Sequence, residues 1–242
     1  MQRIIVKNVS KKFKIGFEKN QGILAKFISF LSGKTPQRIL QVIDNISFNV
    51  ETGKIVGIIG KNGSGKSTLL RIIAGIYNKE TGQINTHGKI VPLINLYSGL
   101  NERLTLKDNI YLYSSLFKLS LKEIKEKFNS MVGFSELKDF VNTKVYQFSG
   151  GMKQRLAFSI AVHCNPDILL LDEVFEIGDE IFKHKSANKI KELTKNGVSV
   201  LLASHELWII EKYCDRVIWI DKGKIVKQGD PKNIIEEYKR AK

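Results

Sequence analysis

A glycine-rich run at residues 60–68 has the residue types and spacing of a phosphate-binding loop. It fits the pattern G-x-x-x-x-G-K-[ST], and its residues are Gly60, Lys61, Asn62, Gly63, Ser64, Gly65, Lys66, Ser67 and Thr68. Glycines let the backbone curl so that successive N–H groups point at an anion, and a following helix adds its positive end. Lys66 can then reach the β- and γ-phosphates of a nucleotide, and the Ser67 hydroxyl can bind Mg²⁺.

Two adjacent carboxylates follow an apolar strand farther along the chain. The strand is Ile168–Leu171, and the acids are Asp172 and Glu173. A parallel sheet places its ligand at the carboxyl ends of its strands, so Asp172 would lie beside the glycine-rich loop and hold Mg²⁺. Glu173 would point at the γ-phosphate and activate the attacking water as a general base. Acids at a strand end are otherwise often only solvated, and the loop upstream favours the catalytic interpretation.

A histidine ends a second apolar strand in the same half of the chain. Residues 198–203 are followed by Ser204, His205 and Glu206. A lone histidine is more often structural than catalytic. At a strand end beside a phosphate site, however, His205 can contact the γ-phosphate or the attacking water.

Strands that alternate with helices predict how these residues come together. Ile55–Ile59, Ile168–Leu171 and Val198–Ala203 are apolar runs of strand length, as expected for strands buried on both faces. Helical patterns run from about Leu106 to Val132 and start again at Ser149. This alternation predicts an α/β fold with a mostly parallel sheet that is covered on both faces.

Composition limits the function classes further. The 242 residues suit one domain, and a net charge of +15 favours anionic partners, namely nucleotide, nucleic acid or an acidic membrane leaflet. The alternative is a generic lysine-rich surface, because the lysines are scattered along the chain. Cys164 and Cys214 have no partner at metal-binding spacing and are expected to be buried thiols in a reducing compartment. No apolar run approaches the roughly 20 residues that span a bilayer, so we expect a cytoplasmic protein with peripheral membrane association.

Residues 148–155 resemble the signature motif of ABC ATPases. They read Phe-Ser-Gly-Gly-Met-Lys-Gln-Arg, and their position between the glycine-rich loop and the Asp-Glu strand also matches that family. The resemblance covers nearly the whole chain. It implies a single domain over residues 1–242, with a P-loop NTPase core, a small antiparallel β-subdomain and a helical subdomain at about residues 96–165 that holds the signature.

The resemblance also implies a head-to-tail homodimer. In that family, each phosphate-binding loop faces the signature of the other subunit, so Ser149, Gly150 and Gly151 would bind the γ-phosphate of ATP held by the partner. The opening turn of a helix with a serine and glycine N–H groups is a physically sensible anion site. A single copy would therefore have an incomplete site.

Two further positions correspond to contacts that the family makes. Phe13 lies where the family keeps an aromatic ring that stacks on adenine, although core packing is the alternative role for this ring. Asn95 occupies the place of a glutamine in most ABC ATPases. The resemblance implies that its amide reaches a Mg²⁺-bound water, from a shorter stem.

A narrower resemblance is to the branch of the family that exports polysaccharides, which includes O-antigen, capsule and teichoic acid exporters. It is carried by residues 91–100 together with Leu104-Thr105 and Asn109-Ile110. Residues 172–179 are similar to the branch's pattern, which reads Val-Gly-Asp where other members read Ala-Leu-Asp. An insertion at about residues 14–39 also resembles the branch, whose members carry a helix there near the membrane.

The insertion contains a short amphipathic pattern. Apolar residues between Ile23 and Leu31 fall at helical spacing. This helix would either lie at the membrane interface, with lysines toward acidic headgroups, or pack on the small β-subdomain. Our hypothesis is that it lines the path by which substrate reaches the membrane subunit.

The sequence therefore predicts an ATPase subunit that depends on ATP and Mg²⁺ and closes as a homodimer. It would drive separate transmembrane permease subunits through a surface near Tyr97 to Leu106. The expected process is export of a lipid-linked polysaccharide, at the cytoplasmic face of the inner (plasma) membrane. One alternative is the ATPase of an importer or drug exporter, against which the insertion and the Val-Gly-Asp-like loop speak. The other is a soluble ABC ATPase that acts on nucleic acid. Such proteins usually have two ATPase cassettes or long coiled-coil arms. This sequence shows neither, so we expect no nucleic acid partner.

Overall fold

The computed structural model describes residues 1–15, 38–94, 99–173 and 180–241. The strands are β1 (Gln2–Ile15), β2 (Arg38–Glu51), β3 (Ile55–Ile59), β4 (Thr81–Thr86), β5 (Ile90–Leu93), β6 (Ile168–Asp172), β7 (Ser199–Ala203), β8 (Arg216–Asp221) and β9 (Lys224–Gly229). The helices are α1 (Lys66–Ile73), α2 (Leu106–Leu116), α3 (Leu121–Ser135), α4 (Gly150–His163), α5 (Glu180–Lys195), α6 (Leu207–Tyr213) and α7 (Pro231–Arg240).

The main sheet confirms the predicted α/β fold. Over the described ranges its strands lie in the order β5-β6-β7-β3-β8-β9, and all neighbours are parallel except β8 and β9. Strand β7 lies between β6 and β3, so the carboxyl ends of these strands meet at one edge of the sheet. That edge is where parallel sheets place their ligands.

A smaller sheet confirms the predicted antiparallel β-subdomain. In the described part of the chain it consists of β2, β1 and β4, with β1 in the middle and antiparallel to both neighbours. The pairing of β1 with β2 continues out to Ile15 opposite Arg38, at the two ends of the predicted insertion. The predicted helix between Ile23 and Leu31 lies outside the described residues.

Both faces of the main sheet are buried, and successive side chains along each strand point to opposite faces. Along β6, Ile168 and Leu170 pack toward α1 and the small sheet, whereas Leu169 and Leu171 pack toward the other helices. All four side chains are fully buried. Burial on both faces fixes the strand register, and the register fixes which residues emerge at the carboxyl edge.

The helical region differs in one detail from its predicted form. The stretch from about Leu106 to Val132 is helical as predicted, but it forms two helices, α2 and α3, with a break between them. Lys118 adopts a left-handed backbone with φ 58°. Ser120 then starts α3 through reciprocal hydrogen bonds with Glu123, an arrangement that the Ser-x-x-Glu spacing encodes.

Candidate phosphate-binding site

The glycine-rich loop connects β3 to α1 at the carboxyl edge of the main sheet. Two of its glycines are required by geometry. A Cβ on Gly60 would lie 2.1 Å from the carbonyl oxygen of Ile220, and Gly60 has φ +155°. A Cβ on Gly65, which has φ +109°, would lie 2.8 Å from the carbonyl oxygen of Val42. No side chain fits at either position. Because glycine has none, the backbone can pass close to the neighbouring strands and turn into α1.

The start of α1 provides donors for an anion. Gly65 is the residue that precedes the helix, and it supplies no side-chain cap to the first-turn N–H groups. Such uncapped groups, at the positive end of a helix, form an anion-binding site. Ser64 is buried in the loop, and its hydroxyl has no hydrogen-bond partner among the described residues.

Lys66 is held over this loop although its side chain carries a charge. It is 5% exposed, and its ammonium group donates to the carbonyls of Gly60 at 2.9 Å and Lys61 at 3.2 Å. The same Nζ lies 3.3 Å from Nε2 of His205. Buried lysines need such partners, and these contacts hold the positive charge at the mouth of the loop.

Asp172 and Ser67 meet at the end of β6 and the start of α1. Burial raises the pKa of Asp172, as does the nearby Glu173 carboxylate, while a hydrogen bond from the Ser67 hydroxyl opposes the increase. Oδ1 of Asp172 is buried and lacks a hydrogen-bond partner within the described ranges. A buried carboxylate oxygen without a partner, beside a hydroxyl, fits a Mg²⁺ site that takes its other ligands from phosphate and water.

The side chains of Glu173 and His205 are in contact at the ends of β6 and β7. Oε1 of Glu173 lies 3.1 Å from Nε2 of His205. The backbone N–H of Glu173 donates to the carbonyl of Ala203 at 2.9 Å, and Glu173 has φ 56°, which is unusual for a residue other than glycine. This backbone conformation directs the carboxylate away from the strand and toward the glycine-rich loop. Strained backbone of this kind is concentrated at functional sites.

A cavity of about 430 Å³ lies at this edge. Its lining residues are Leu40, Val42, Asn62, Gly63, Gly65, Lys66, Ser67, Thr68 and Glu173. The structure thus brings together most of the loop with the acid pair and the histidine. Leu40 and Val42, on β2, were not predicted, because no motif marks them. In the sequence they are marked only as apolar residues at alternate positions of a strand. In the structure, Leu40 is 44% exposed.

Phe13 lies beside this cavity without lining it. It pairs with Leu40 across β1 and β2, and its ring packs edge-on against Tyr77 with 5.6 Å between ring centroids. Lys11 lies 5.2 Å from the centroid of the Phe13 ring. The ring is half-buried. Stacking of Phe13 on adenine stays a prediction.

The predicted signature residues are not part of this cavity. Ser149 caps α4, with its Oγ accepting from the N–H of Met152 at 3.2 Å, and both Ser149 and Gly150 are exposed. Gly151 follows in the first turn of α4. No residue of 149–151 lines the cavity beside Lys66. Asn95 and residues 174–179 lie outside the described residues, so their predicted contacts are untested.

Residues 43–176 of the chain match the ABC transporter family. The chain belongs to the ABC transporter family. The matched region holds the glycine-rich loop, the signature and the acid pair. This finding confirms the family resemblance and the ATPase class that the motifs predicted.

Several relatives of the chain are named for O-antigen or teichoic acid export. The chain is 39% identical to the O-antigen export system ATP-binding protein RfbB of Klebsiella pneumoniae, over 82% of this chain and 81% of that protein. It is 35% identical to an RfbB of Myxococcus xanthus over 100% of the chain, and 38% identical to the teichoic acids export ATP-binding protein TagH of Lactococcus lactis over 98%. The chain spans 56% and 51% of the lengths of these last two proteins.

Solved structures share the fold. The ATP-binding subunit of an ABC transporter has a TM-score of 0.79 at 24% identity, covering 98% of this chain and 93% of the other. An ATP-binding cassette in a dimeric post-hydrolysis state, bound to ADP and Pi, has a TM-score of 0.78 at 24% identity and covers 94% and 98%. No helix within the described ranges is both long and apolar enough to cross a membrane.

Proposed function

We propose that this chain hydrolyses ATP as one half of a head-to-tail homodimer. The observation that carries the proposal is that the chain holds two anion-binding elements that do not meet within one copy. The loop around Lys66 lines a cavity at the sheet edge, whereas Ser149 and Gly150 are exposed at the tip of α4 and do not line it. A second copy can supply the missing tip to each cavity, and two-fold symmetry completes both sites at once.

The chemistry follows from the charges at the sheet edge. Lys66 and the uncapped N–H groups of α1 would bind the phosphates of ATP. Ser67, Asp172 and Asn95 would hold Mg²⁺, which neutralises charge on the phosphate oxygens when bound. The buried Oδ1 of Asp172, which has no hydrogen-bond partner in the part of the chain that the structure describes, supports this assignment.

Glu173 would orient and deprotonate the attacking water. Its carboxylate borders the cavity and is held 3.1 Å from His205. Nε2 of His205 cannot accept a hydrogen bond from Lys66 and donate one to Glu173 at the same time. Binding of ATP would draw the Lys66 ammonium group toward phosphate and so remove this competition. His205 would then be left to orient Glu173 or to contact the γ-phosphate.

The linked process is export of a lipid-linked polysaccharide of the O-antigen, capsule or teichoic acid type. Identities of 35–39% to proteins named for O-antigen and teichoic acid export support this substrate class. The chain would bind transmembrane permease subunits at the cytoplasmic face of the plasma membrane, through a surface near Tyr97 to Leu106. Closure and reopening of the ATPase dimer would move those subunits.

Trapping the dimer tests the ATPase proposal. Glu173→Gln should lower turnover by about 10²–10⁴, since the general base is lost while the pocket stays intact. Size-exclusion chromatography with Mg²⁺ and ATP should show a dimer of this variant, and ADP should leave it monomeric. Adding Lys66→Ala should abolish the ATP-dependent dimer. Wild-type turnover by Glu173→Gln would remove Glu173 as the base, and a Glu173→Gln chain that stays monomeric in ATP would refute the sandwich dimer.

Co-purification tests the transport proposal. The chain expressed from its own chromosome and purified from detergent-solubilised membranes should bring down a hydrophobic permease. Deletion of the gene should cause lipid-linked polysaccharide to accumulate inside the cell. If RNA co-purifies instead, and is released as salt concentration rises, the nucleic-acid alternative would replace export.

A further inference from the structure

The residues that lead into the signature helix are tied to a second segment. We call residues 101–107 the strap and residues 141–147 the lead segment. The carbonyl oxygens of Leu104 and Glu102 in the strap accept from N–H groups of the lead segment at 3.0 and 2.9 Å. The N–H of Leu106 donates back to the lead segment at 3.0 Å. These bonds surround an antiparallel bridge between Thr105 and Lys144 and end at Tyr146, three residues before Ser149.

A buried asparagine fixes the shape of the strap. Asn109, on α2, is 0% exposed. Its Nδ2 lies within hydrogen-bond distance of the carbonyls of Asn101 at 3.0 Å, Leu104 at 3.3 Å and Thr105 at 2.8 Å. Its Oδ1 accepts from the N–H of Asn101 at 2.8 Å. A fully buried amide that satisfies its hydrogen bonds within one loop makes that loop rigid.

A side-chain ion pair joins the strap to the signature helix itself. Glu102 pairs with Lys153, which lies in the first turn of α4. The Lys153 side chain is 17% exposed and that of Glu102 is 57% exposed. A lysine near the positive end of a helix is unfavourable, and the Glu102 carboxylate offsets this cost. The strap therefore holds α4 on one side of Ser149 and the lead segment on the other.

The opposite end of the strap is packed just as closely. Gly99 lies two residues before it, and a Cβ on Gly99 would lie 1.7 Å from the ring of Tyr113 on α2. Tyr113 is buried. The segment that approaches the strap is thus seated on the same helix that carries Asn109. These contacts join the strap, the lead segment and the start of α4 into one packed unit.

We propose that the strap positions the Ser149 tip for the partner's nucleotide, and that Glu102 is the positioning residue, acting through Lys153. This role rests on the proposed homodimer. The strap overlaps the surface proposed to contact the permease. Permease contact at that surface and ATP held by the partner copy would therefore both affect the position of the same packed unit.

Charge reversal in the Glu173→Gln background tests the role of Glu102. The measured quantity is the ATP concentration at which half of the protein is dimeric by size-exclusion chromatography. Glu102→Lys and Lys153→Glu should each raise this concentration at least about fivefold, since each leaves like charges in contact. Combining both changes should restore the parent value within about twofold. Affinity of each variant for a fluorescent ADP analogue should stay within about twofold, because the cavity of a single copy is untouched.

A matched control is available on α5. Lys189 and Glu192 form an ion pair with similar exposures, 20% and 59%, but they join no separate elements. Reversing that pair should leave ATP-dependent dimerisation unchanged. Unaltered dimerisation in the Glu102→Lys and Lys153→Glu variants would overturn the proposal, as would failure of the combined variant to recover. A Glu173→Gln parent that stayed monomeric would instead refute the proposed homodimer, and the positioning role with it.

Discussion

Replacing Asp172 by asparagine separates metal binding from folding. The buried Oδ1 of Asp172 has no hydrogen-bond partner among the described residues, and burial raises the pKa of this carboxyl group, so its charge costs stability. A neutral amide is less costly to bury than a carboxylate. Asp172→Asn should therefore stabilise the ligand-free protein, by about 1 kcal/mol if the amide recovers the lower end of the usual penalty. For a chain of this size, that raises the thermal midpoint by about 2–4 °C.

The same substitution should remove stabilisation by the metal. For the wild-type chain in nucleotide, Mg²⁺ at about 100 times its dissociation constant should add about 2.7 kcal/mol. Asp172→Asn should lose this increment and keep the increment due to nucleotide alone. Thermal unfolding followed by circular dichroism, with and without Mg²⁺ and ADP, measures each term.

Asp215 provides a control of opposite sign. Its carboxylate accepts from Nζ of Lys54 at 3.0 Å and from the N–H of Ile55 at 2.8 Å, at the amino end of β3, opposite the carboxyl edge that holds the cavity. Asp215→Asn should lower the ligand-free midpoint and leave the Mg²⁺ increment intact. If Asp172→Asn behaved like Asp215→Asn in both respects, the assignment of Asp172 as a metal ligand would be wrong.

Three further predictions concern the loop, the thiols and the insertion. Gly60→Ala should destabilise the chain by at least about 2 kcal/mol in urea unfolding, because its Cβ would meet a backbone carbonyl of β8. At Gly63, no heavy atom of the described residues lies within 4 Å of the added Cβ, so Gly63→Ala should cost only about 1–2 kcal/mol of backbone strain. Equal costs would contradict this account of the loop. Burial raises the pKa of the Cys164 thiol to about 11, so it should stay neutral at pH 8 and react with a thiol reagent only on unfolding; rapid labelling of the native chain would contradict its burial. Phe27→Glu should block polysaccharide export while ATPase activity stays normal, and intact export would refute a role for the insertion in the substrate path.

The carboxyl edge of the main sheet could be predicted from sequence because each part of it carries a local signal. The apolar run Ile55–Ile59 has the length and composition of a strand buried on both faces, and the glycine pattern that follows it is typical of a loop with positive φ angles. The same logic places Asp172 and His205 beside the loop, since the carboxyl ends of parallel strands share an edge. The strand order, with β7 between β6 and β3, was not predicted.

Other features depend on contacts between distant segments and leave little trace in sequence. Leu40 reaches the cavity only because β2 passes Gly65, and its apolar character alone does not indicate this. The pairing of Glu102 with Lys153 depends on how the strap lies against α4, so neither residue is distinguishable from other surface charges in the sequence. The Ser-x-x-Glu spacing of Ser120 and Glu123 indicates the break before α3. It was not predicted because apolar residues at helical spacing lie on both sides of the break.

A structure of the Glu173→Gln chain with Mg²⁺ and ATP would show whether two copies complete each other's nucleotide sites. We expect a two-fold assembly in which Oγ of Ser149 from one copy lies about 3 Å from the γ-phosphate held at Lys66 of the other. An ATP-bound structure in which every assembly leaves Ser149 facing solvent, away from the partner's nucleotide, would contradict it.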